Sequence, residues 1–441
     1  MINVAFEISP LLLASGSFGD KSGVYRYYYG LIKAYGEYLK KNRIDSRVIL
    51  FSFNRDLLNL PVNREILELL DNKVFLLLNR FPEPKSIDFD SLKVVTFIFK
   101  PFLKILNLIF PMKKAYAYLI DNLRFKSYLK LLIKEFKKNK VSIVYHSETC
   151  FYPIGGFKSV LTVYDLTPIT MYYFHRSETN DLSQRKLYFA RRHCKGLVCI
   201  SQSTKNDLLK HCLLQKNTNI TICYPGLDQS FLAKRNDLFN DIKRIVSEKT
   251  DVLKKNRYIF FYSTFEPRKN IFNLIQVFSD LCKDRQTPND FKLVLMGGEG
   301  WGKVKQKATN FIKENFPIKD KNRIIILDYL SDDYLISLIK NAYAVIYPSF
   351  YEGFGLPVLE SMALGTPVLT SNNSSLAEVG GDAVLYCNPH DYYDLKNKIK
   401  YLVDNPKQIV KLKQLGLRQA KKFNWNQSAK KLHQFFQELS S

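Results

Sequence analysis

Short apolar runs recur along the chain and alternate with longer stretches of helical spacing. Residues 2–8, 48–53, 141–145, 160–163 and 196–200 are such runs in the first half, and 258–262, 292–296, 323–327 and 344–347 in the second. Mostly apolar runs of this length fit strands buried on both faces of a sheet. Residues 24–39 are tyrosine-rich with a helical period, and Trp425, Ala429, Leu432 and Phe436 share one face of a helix over 423–439. Strands alternating with helices in both halves predict an α/β chain with parallel sheets. Residues 54–92 show no clear period, with Pro82 and Pro84 marking a loop, and the polar stretch 234–256 reads as a linker between the halves.

Residues 91–140 stand apart. They hold twelve Lys and Arg against Asp121 and Glu135, a net +10. As a helix, 102–110 is apolar nearly all round, with Lys100, Lys104 and Asn107 on one narrow stripe, and Lys113, Lys114, Arg124, Lys126, Lys130, Lys134, Lys137 and Lys138 follow on the next helical pattern. Two readings fit equally: a helix packed on the sheet with a solvated basic face, or lysines rimming an apolar surface that dips into an anionic bilayer. Lys100-Pro101 breaks or starts a helix in either case.

Composition narrows the partners. With 441 residues there is enough chain for two or three domains. A net charge of +25 predicts an anionic partner: nucleic acid, an acidic membrane surface or phosphorylated substrates. No zinc-finger, RRM-type or basic-aromatic string is present, so nucleic acid is not the expected partner. Seven scattered cysteines without a Cys-x-x-Cys pair fit free thiols in a reducing compartment, and the six histidines form no zinc-type pair. The first residues enter a strand directly, so no secretory signal is expected, and no apolar run reaches the length of a membrane-spanning helix.

Candidate chemistry centres on residues 347–365, YPSFYEGFGLPVLESMALG. The spacing predicts a strand ending near Tyr347, a loop carrying Glu352, and a helix entered at Pro357, carrying Glu360 and ended by Gly365. Gly353 and Gly355 let the backbone approach a ligand, and the helix start suits a phosphate. Carboxylates on either side suit hydroxyl-rich groups. Arg268 and Lys269, just past the strand at 258–262, form a second focus, since adjacent cations at a strand end can clamp a diphosphate. The loop after the first strand carries Gly16, Gly19 and Gly23 but no GxGxxG, so a dinucleotide is not expected; a plain strand-to-helix turn accounts for it as well. Asp332-Asp333 fits the first turn of a helix capped by Ser331 rather than a metal pair, and no metal is expected. Ser201 reads as the cap of another helix.

Several strings together carry a resemblance. They are Glu352-Gly353-Phe354-Gly355-Leu356-Pro357 with Gly365-Thr366-Pro367-Val368, Ser263-Thr264-Phe265-Glu266-Pro267-Arg268-Lys269-Asn270, Gly297-Gly298-Glu299-Gly300-Trp301, Ser375-Leu376-Ala377-Glu378-Val379 and Tyr224-Pro225-Gly226-Leu227-Asp228. The set resembles the family 4 retaining glycosyltransferases, with their Glu-x7-Glu signature. The resemblance implies the GT-B fold: two Rossmann-like domains whose parallel sheets face a central cleft. Residues 1–245 are then the acceptor-binding domain, containing 91–140; residues 246–422 bind the nucleotide sugar; and residues 423–441 form a helix crossing back to the first domain.

The resemblance also implies roles. Arg268 and Lys269 hold the diphosphate, and Glu352 holds the donor sugar with the backbone N–H groups of Phe354, Gly355 and Leu356. Glu360 holds ribose hydroxyls, Gly297 and Gly298 pack close to the phosphates, and Tyr329 and Leu330 meet the base through their backbone. Thr370 is a strand-end hydroxyl on the donor side. Gly23, Tyr164 and Asp165 face the sugar or acceptor, although Asp165 serves equally well as a turn cap. Position 164 often carries histidine in the family, and the tyrosine here does not titrate near neutral pH. Trp301 reads as a packing residue. The implied substrate is a nucleoside diphosphate sugar, GDP-mannose first, with UDP-hexoses and dTDP-rhamnose open, and no further cofactor. The implied acceptor is a glycan or polyprenyl-linked glycan of surface polysaccharide such as lipopolysaccharide, at a cytoplasmic site or peripherally on the inner face of the plasma membrane. A phosphorylase or sugar-nucleotide epimerase of the same fold is the first alternative, and a basic nucleic-acid-binding protein, suggested by charge alone, is the second.

Overall fold

The computed structural model describes residues 2–13, 23–59, 63–78, 112–227, 233, 238–247, 253–316 and 322–441. Gly16, Gly19, Ser22, Pro82, Pro84, the stretch 100–111, Asp228 and the side chains of Lys113 and Lys114 lie outside the described residues.

Thirteen described strands make two sheets. The first contains β1 (Asn3–Glu7), β2 (Val48–Phe51), β3 (Phe75–Leu77), β4 (Val141–His146), β5 (Lys158–Val163), β6 (Cys194–Cys199) and β7 (Asn219–Ile222), in the order β3-β2-β1-β4-β5-β6-β7. The second contains β8 (Tyr258–Tyr262), β9 (Lys292–Met296), β10 (Ile324–Leu327), β11 (Ala344–Tyr347), β12 (Val368–Ser371) and β13 (Leu385–Cys387), in the order β10-β9-β8-β11-β12-β13. All pairings in the second sheet are parallel. In both orders the chain starts in the middle, winds outward one way and then returns to wind the other. This doubly wound arrangement creates a switch point beside β8 and β11, where the connections leave to opposite sides. The parallel α/β architecture expected from the sequence is therefore present.

By packing the chain divides into two compact units, residues 1–20, 39–160 and 436–441, and residues 21–38 and 161–435. The smaller unit has a core of Ala5, Ile49, Phe51, Phe53, Leu78, Tyr128, Leu132, Phe136, Val141, Val144 and Ile154. Tyr128, Leu132 and Phe136 come from one face of the helix Met112–Lys138, at the four-residue spacing that stacks side chains on a helix. Arg124, Lys126, Lys130, Lys134, Lys137 and Lys138 are exposed on the other faces. This portion of the basic segment is thus a domain helix with a solvated cationic surface. In the same unit Phe436 packs edge-on to Phe6 and Tyr145.

The larger unit contains the whole second sheet. Its helix Gly23–Lys41 buries Tyr25, Tyr27, Tyr28, Leu31, Ile32 and Tyr35, and ends on Lys40 and Lys41, which complement the helix dipole. The expected linker 234–256 is corrected: it contains the helix Phe239–Ser247. Phe239 and Ile242, three positions apart among polar residues, are both buried, and the Phe239 ring stacks on Tyr258 at 6.2 Å. Elements that went unforeseen include the helices Arg64–Leu70, Ser177–His193, Tyr392–Asp404 and Pro406–Ala420 and strands β3, β7 and β13. Strands β3 and β13 have three residues each, and β7 has no fully buried position, so each lacks the apolar run that marks a central strand.

The last helix, Trp425–Ser440, begins with an indole wedged against Gly30. A Cβ at position 30 would stand 2.4 Å from Trp425 Cζ2. Gly30→Ala is therefore expected to destabilise the protein by about 1–3 kcal/mol, the usual range for overpacking. Urea denaturation checks this; an unchanged midpoint would show that the indole has room to give.

Candidate functional site

Three loops at the carboxyl ends of β8, β9 and β11 build the site, all within the larger unit. The chain leaves β8 through Ser263 and enters a single 3-10 turn, Pro267–Lys269, closed by Asn270 in the left-handed conformation. That turn places Arg268 and Lys269 side by side. The chain leaves β11 through Pro348 and reaches Glu352 four residues later. A Cβ at Gly353 would come within 2.4 Å of the Tyr164 carbonyl oxygen and 3.1 Å of Asp165 Cβ, so glycine permits the close approach that brings this loop to the end of β5. Gly355 has φ +102° and precedes the helix Leu356–Ala363, with Pro357 in its first turn as expected. Gly365, at φ +74°, closes the helix end, its N–H bonding to Met362 and that of Thr366 to Ser361. The N–H groups of Phe354, Gly355 and Leu356 form no backbone hydrogen bond among the described residues.

Glu352 sits at the centre and is almost fully buried. Its Oε1 accepts hydrogen bonds from Lys269 Nζ at 2.6 Å, the Ser349 hydroxyl at 2.7 Å and the Tyr347 hydroxyl at 3.0 Å. Its Oε2 accepts from Arg268 Nη1 at 2.8 Å. Burial alone pushes the carboxyl up, but the charges and hydrogen bonds of Arg268 and Lys269 outweigh it and hold Glu352 at about 2. Burial and the neighbouring Arg268 pull Lys269 down from its usual range. Glu266, 3.0 Å from Arg268 Nε, is pushed up by burial. Arg268 is thus flanked by two carboxylates, and its remaining Nη1 contact goes to the Tyr351 carbonyl at 3.0 Å.

Glu360 is separate from this cluster. Its Oε1 lies 2.6 Å from Arg26 Nη2, and its Oε2 accepts from the Tyr262 hydroxyl at 3.0 Å. The Glu360 charge raises the Arg26 guanidinium above its usual range against the pull of burial. Arg26 belongs to the sequence segment already noted beside Gly23, but its pairing with Glu360 was not foreseen. Tyr262 and Tyr347 were also missed. Each is the last residue of its strand, and a polar-tipped side chain at that position of a switch-point strand was the available signal.

Other expected residues fall differently. Gly297 and Gly298 follow β9, with position 297 tight against the Ser263 carbonyl. A Cβ at Gly23 would lie 3.8 Å from Leu356 Cδ1, which brings the start of its helix to the start of the helix Leu356–Ala363. Thr370 is fully buried, and its hydroxyl donates to the Tyr347 carbonyl at 2.8 Å, so it braces two strands. Tyr329 is exposed and Leu330 half-buried after β10. Tyr164 is buried, its ring edge-on to Tyr27 at 5.5 Å. Asp165 caps its own turn, accepting from the Thr167 N–H at 3.0 Å and hydroxyl at 2.7 Å. Ser201 caps the helix Gln202–His211 as expected. Ser331 occupies a cap position without a side-chain bond.

The chain resembles known proteins in sequence and in fold. A model of glycosyl transferases group 1 matches residues 243–437, and one of glycosyltransferase family 4 matches residues 94–231. O-antigen chain mannosyltransferase B of Escherichia coli is 30% identical over 291 residues, which are 64% of this chain and 71% of that protein. Among solved structures, a glycosyltransferase from Rickettsia africae ESF-5 superposes with a TM-score of 0.63 at 17% identity, over 99% of this chain and 98% of that one. Anabaena HepE in complex with UDP-glucose superposes with a TM-score of 0.62 at 13% identity, over 99% and 100%. The two doubly wound sheets and these likenesses define a glycosyltransferase of the GT-B fold. The chain belongs to family 4 of these enzymes, which transfer with retention.

The Glu352 cluster makes a testable statement about stability. Glu352→Gln would leave buried Lys269 without its carboxylate and Arg268 with Glu266 alone, at about 3–5 kcal/mol. Glu352 titrates at about 2 in the folded chain against an ordinary 4.5, so its ionisation stabilises the fold fully above pH 4.5, and this contribution fades as pH falls toward 2. Urea denaturation of both proteins should show a gap that is constant from pH 7 to 5 and narrows below 4.5. A gap that does not depend on pH would rule out the charge as its source.

Proposed function

We propose that this chain transfers a hexose, mannose from GDP-mannose in the first instance, to a glycan or lipid-linked glycan during surface polysaccharide synthesis. The observation that carries the reading is the Arg268–Lys269–Glu352 cluster beside the open helix start at Gly355–Leu356, at the switch point of β8 and β11. The choice of mannose leans on the name of the Escherichia coli relative.

In this reading the diphosphate lies between the two cations and the N–H groups of residues 354–356. The bond from the anomeric carbon to the diphosphate oxygen breaks, and its electron pair stays on that oxygen. The acceptor hydroxyl forms the new bond on the same face and gives its proton to the departing oxygen. Arg268, Lys269 and the helix start stabilise the charge that builds there. Glu352 keeps both cations aimed, and its Oε2, with one bond from Arg268, has room to accept a sugar hydroxyl as well. Glu360 takes the ribose hydroxyls, sharing itself with Arg26 and Tyr262. Residues 246–422 act as the donor domain and residues 1–245 as the acceptor domain, with 423–441 returning to the latter.

Among the described residues no helix is long and apolar enough to cross a membrane. The exposed cations of the helix Met112–Lys138 suit a peripheral contact with anionic lipid. Flotation with anionic liposomes, but not with neutral ones, is the expected result; failure to float with either would remove the membrane from the proposal.

The donor class is tested by calorimetric titration with GDP, UDP, ADP and dTDP. Binding of one nucleotide is expected, weakened about ten- to a hundredfold in Glu360→Ala, as for loss of hydrogen bonds to a charged group. Binding that is indifferent to this substitution would remove Glu360 from the nucleotide site, and binding of none would overturn the reading.

A further inference from the structure

The segment that follows Asp165 carries a histidine whose hydrogen-bonding state is fixed by its neighbours. A carboxylate only accepts, so the 2.7 Å contact between the Thr167 hydroxyl and Asp165 Oδ1 commits the threonine hydrogen to Asp165. His175 Nε2 lies 2.9 Å from the same hydroxyl oxygen. With that hydrogen committed, Nε2 must be the donor. The neutral imidazole therefore carries its lone pair on Nδ1, for which no hydrogen bond is formed among the described residues. The ring is only half-buried.

Four contacts fix the ring and the segment that carries it. The His175 ring stacks on the Trp301 indole at 5.3 Å and 28°, and Trp301 Nε1 donates to the Phe174 carbonyl. Phe174 stacks on Phe350 at 5.7 Å and 10°, in the loop that leads to Glu352. Gly353 meets Asp165 directly. His175 is thus anchored to the loops after both β9 and β11. Burial is the largest influence and favours the uncharged ring, the Asp165 charge opposes it, and the smaller Arg268 effect adds to burial; the net direction is downward from 6.5, toward the neutral ring.

We propose that His175 Nδ1 accepts a hydrogen bond from a hydroxyl of the donor's hexose, so that His175 is a sugar-binding residue oriented by Asp165 through Thr167. A neutral nitrogen lone pair matches a hydroxyl and disfavours a phosphate oxygen, which also only accepts. The residue therefore reads the sugar end of the donor and ignores its diphosphate. This inference rests on the reading of the chain as a nucleotide-sugar enzyme.

The test compares GDP with GDP-mannose by calorimetry, or UDP with UDP-glucose if the uridine nucleotide is the one that binds. His175→Ala should leave the nucleoside diphosphate affinity within about twofold and weaken the sugar conjugate about tenfold. His175→Phe keeps a ring to stack on Trp301 but has no lone pair, and should match His175→Ala. His175→Asn retains an acceptor oxygen and should recover part of the loss. Equal losses for both ligands, or full affinity in His175→Phe, would overturn the proposal by making the ring a packing group. Failure of the unaltered protein to bind any nucleotide overturns the underlying reading instead, and is seen before any variant is made.

Discussion

A buried carboxylate held between two cations governs the larger unit. Glu352 is reached from β11, and Arg268 and Lys269 from β8, so their hydrogen bonds tie together the two strands at which the sheet reverses its winding. Each partner alone would be costly to bury; together they are compatible with the interior because Ser349 and Tyr347 supply further donors to the same oxygen. The tightness of the loop follows from this. Gly353 has no space for a side chain because the Tyr164 backbone comes up against it, and Gly355 turns the chain through the left-handed region so that the helix start opens beside the cations.

The two glutamates of the signature therefore occupy different electrostatic settings despite lying eight positions apart. Glu352 has two cations at hydrogen-bond distance and is held ionised far into acid. Glu360 has one, Arg26, which is about two-fifths exposed, together with a phenolic hydroxyl. A partner so accessible to water contributes little to stability and can yield to a ligand.

Much of this was legible in the sequence. Central strands such as β8, β9 and β11 announce themselves because burial on both faces demands uninterrupted apolar residues. The helix limits at Pro357 and Gly365 were readable because proline fixes φ at a helix start and glycine readily takes the left-handed turn that ends one. What escaped had weak local signals. Strand β7 lies at a sheet edge with polar alternation, and the helix Phe239–Ser247 presents only two core residues within a polar stretch. The pairing of Arg26 with Glu360 joins residues more than three hundred positions apart, and no local pattern encodes it. Thr370 is legible as a hydroxyl near the end of β12, whereas the Tyr347 carbonyl that takes its hydrogen leaves no local trace.

One carboxylate outside the cluster has a consequence for selectivity. Glu378, from the helix Ser374–Gly380, accepts the N–H groups of Gln202 and Ser203 at the start of another helix, at 2.9–3.3 Å, along with the Tyr224 hydroxyl. The chain has plugged that anion-receptive end with a charge of its own. The helix start at Leu356, by contrast, has no side-chain cap bond among the described residues. A helix start already filled by a carboxylate cannot also take a phosphate, so the charge of Glu378 narrows where an anion can bind.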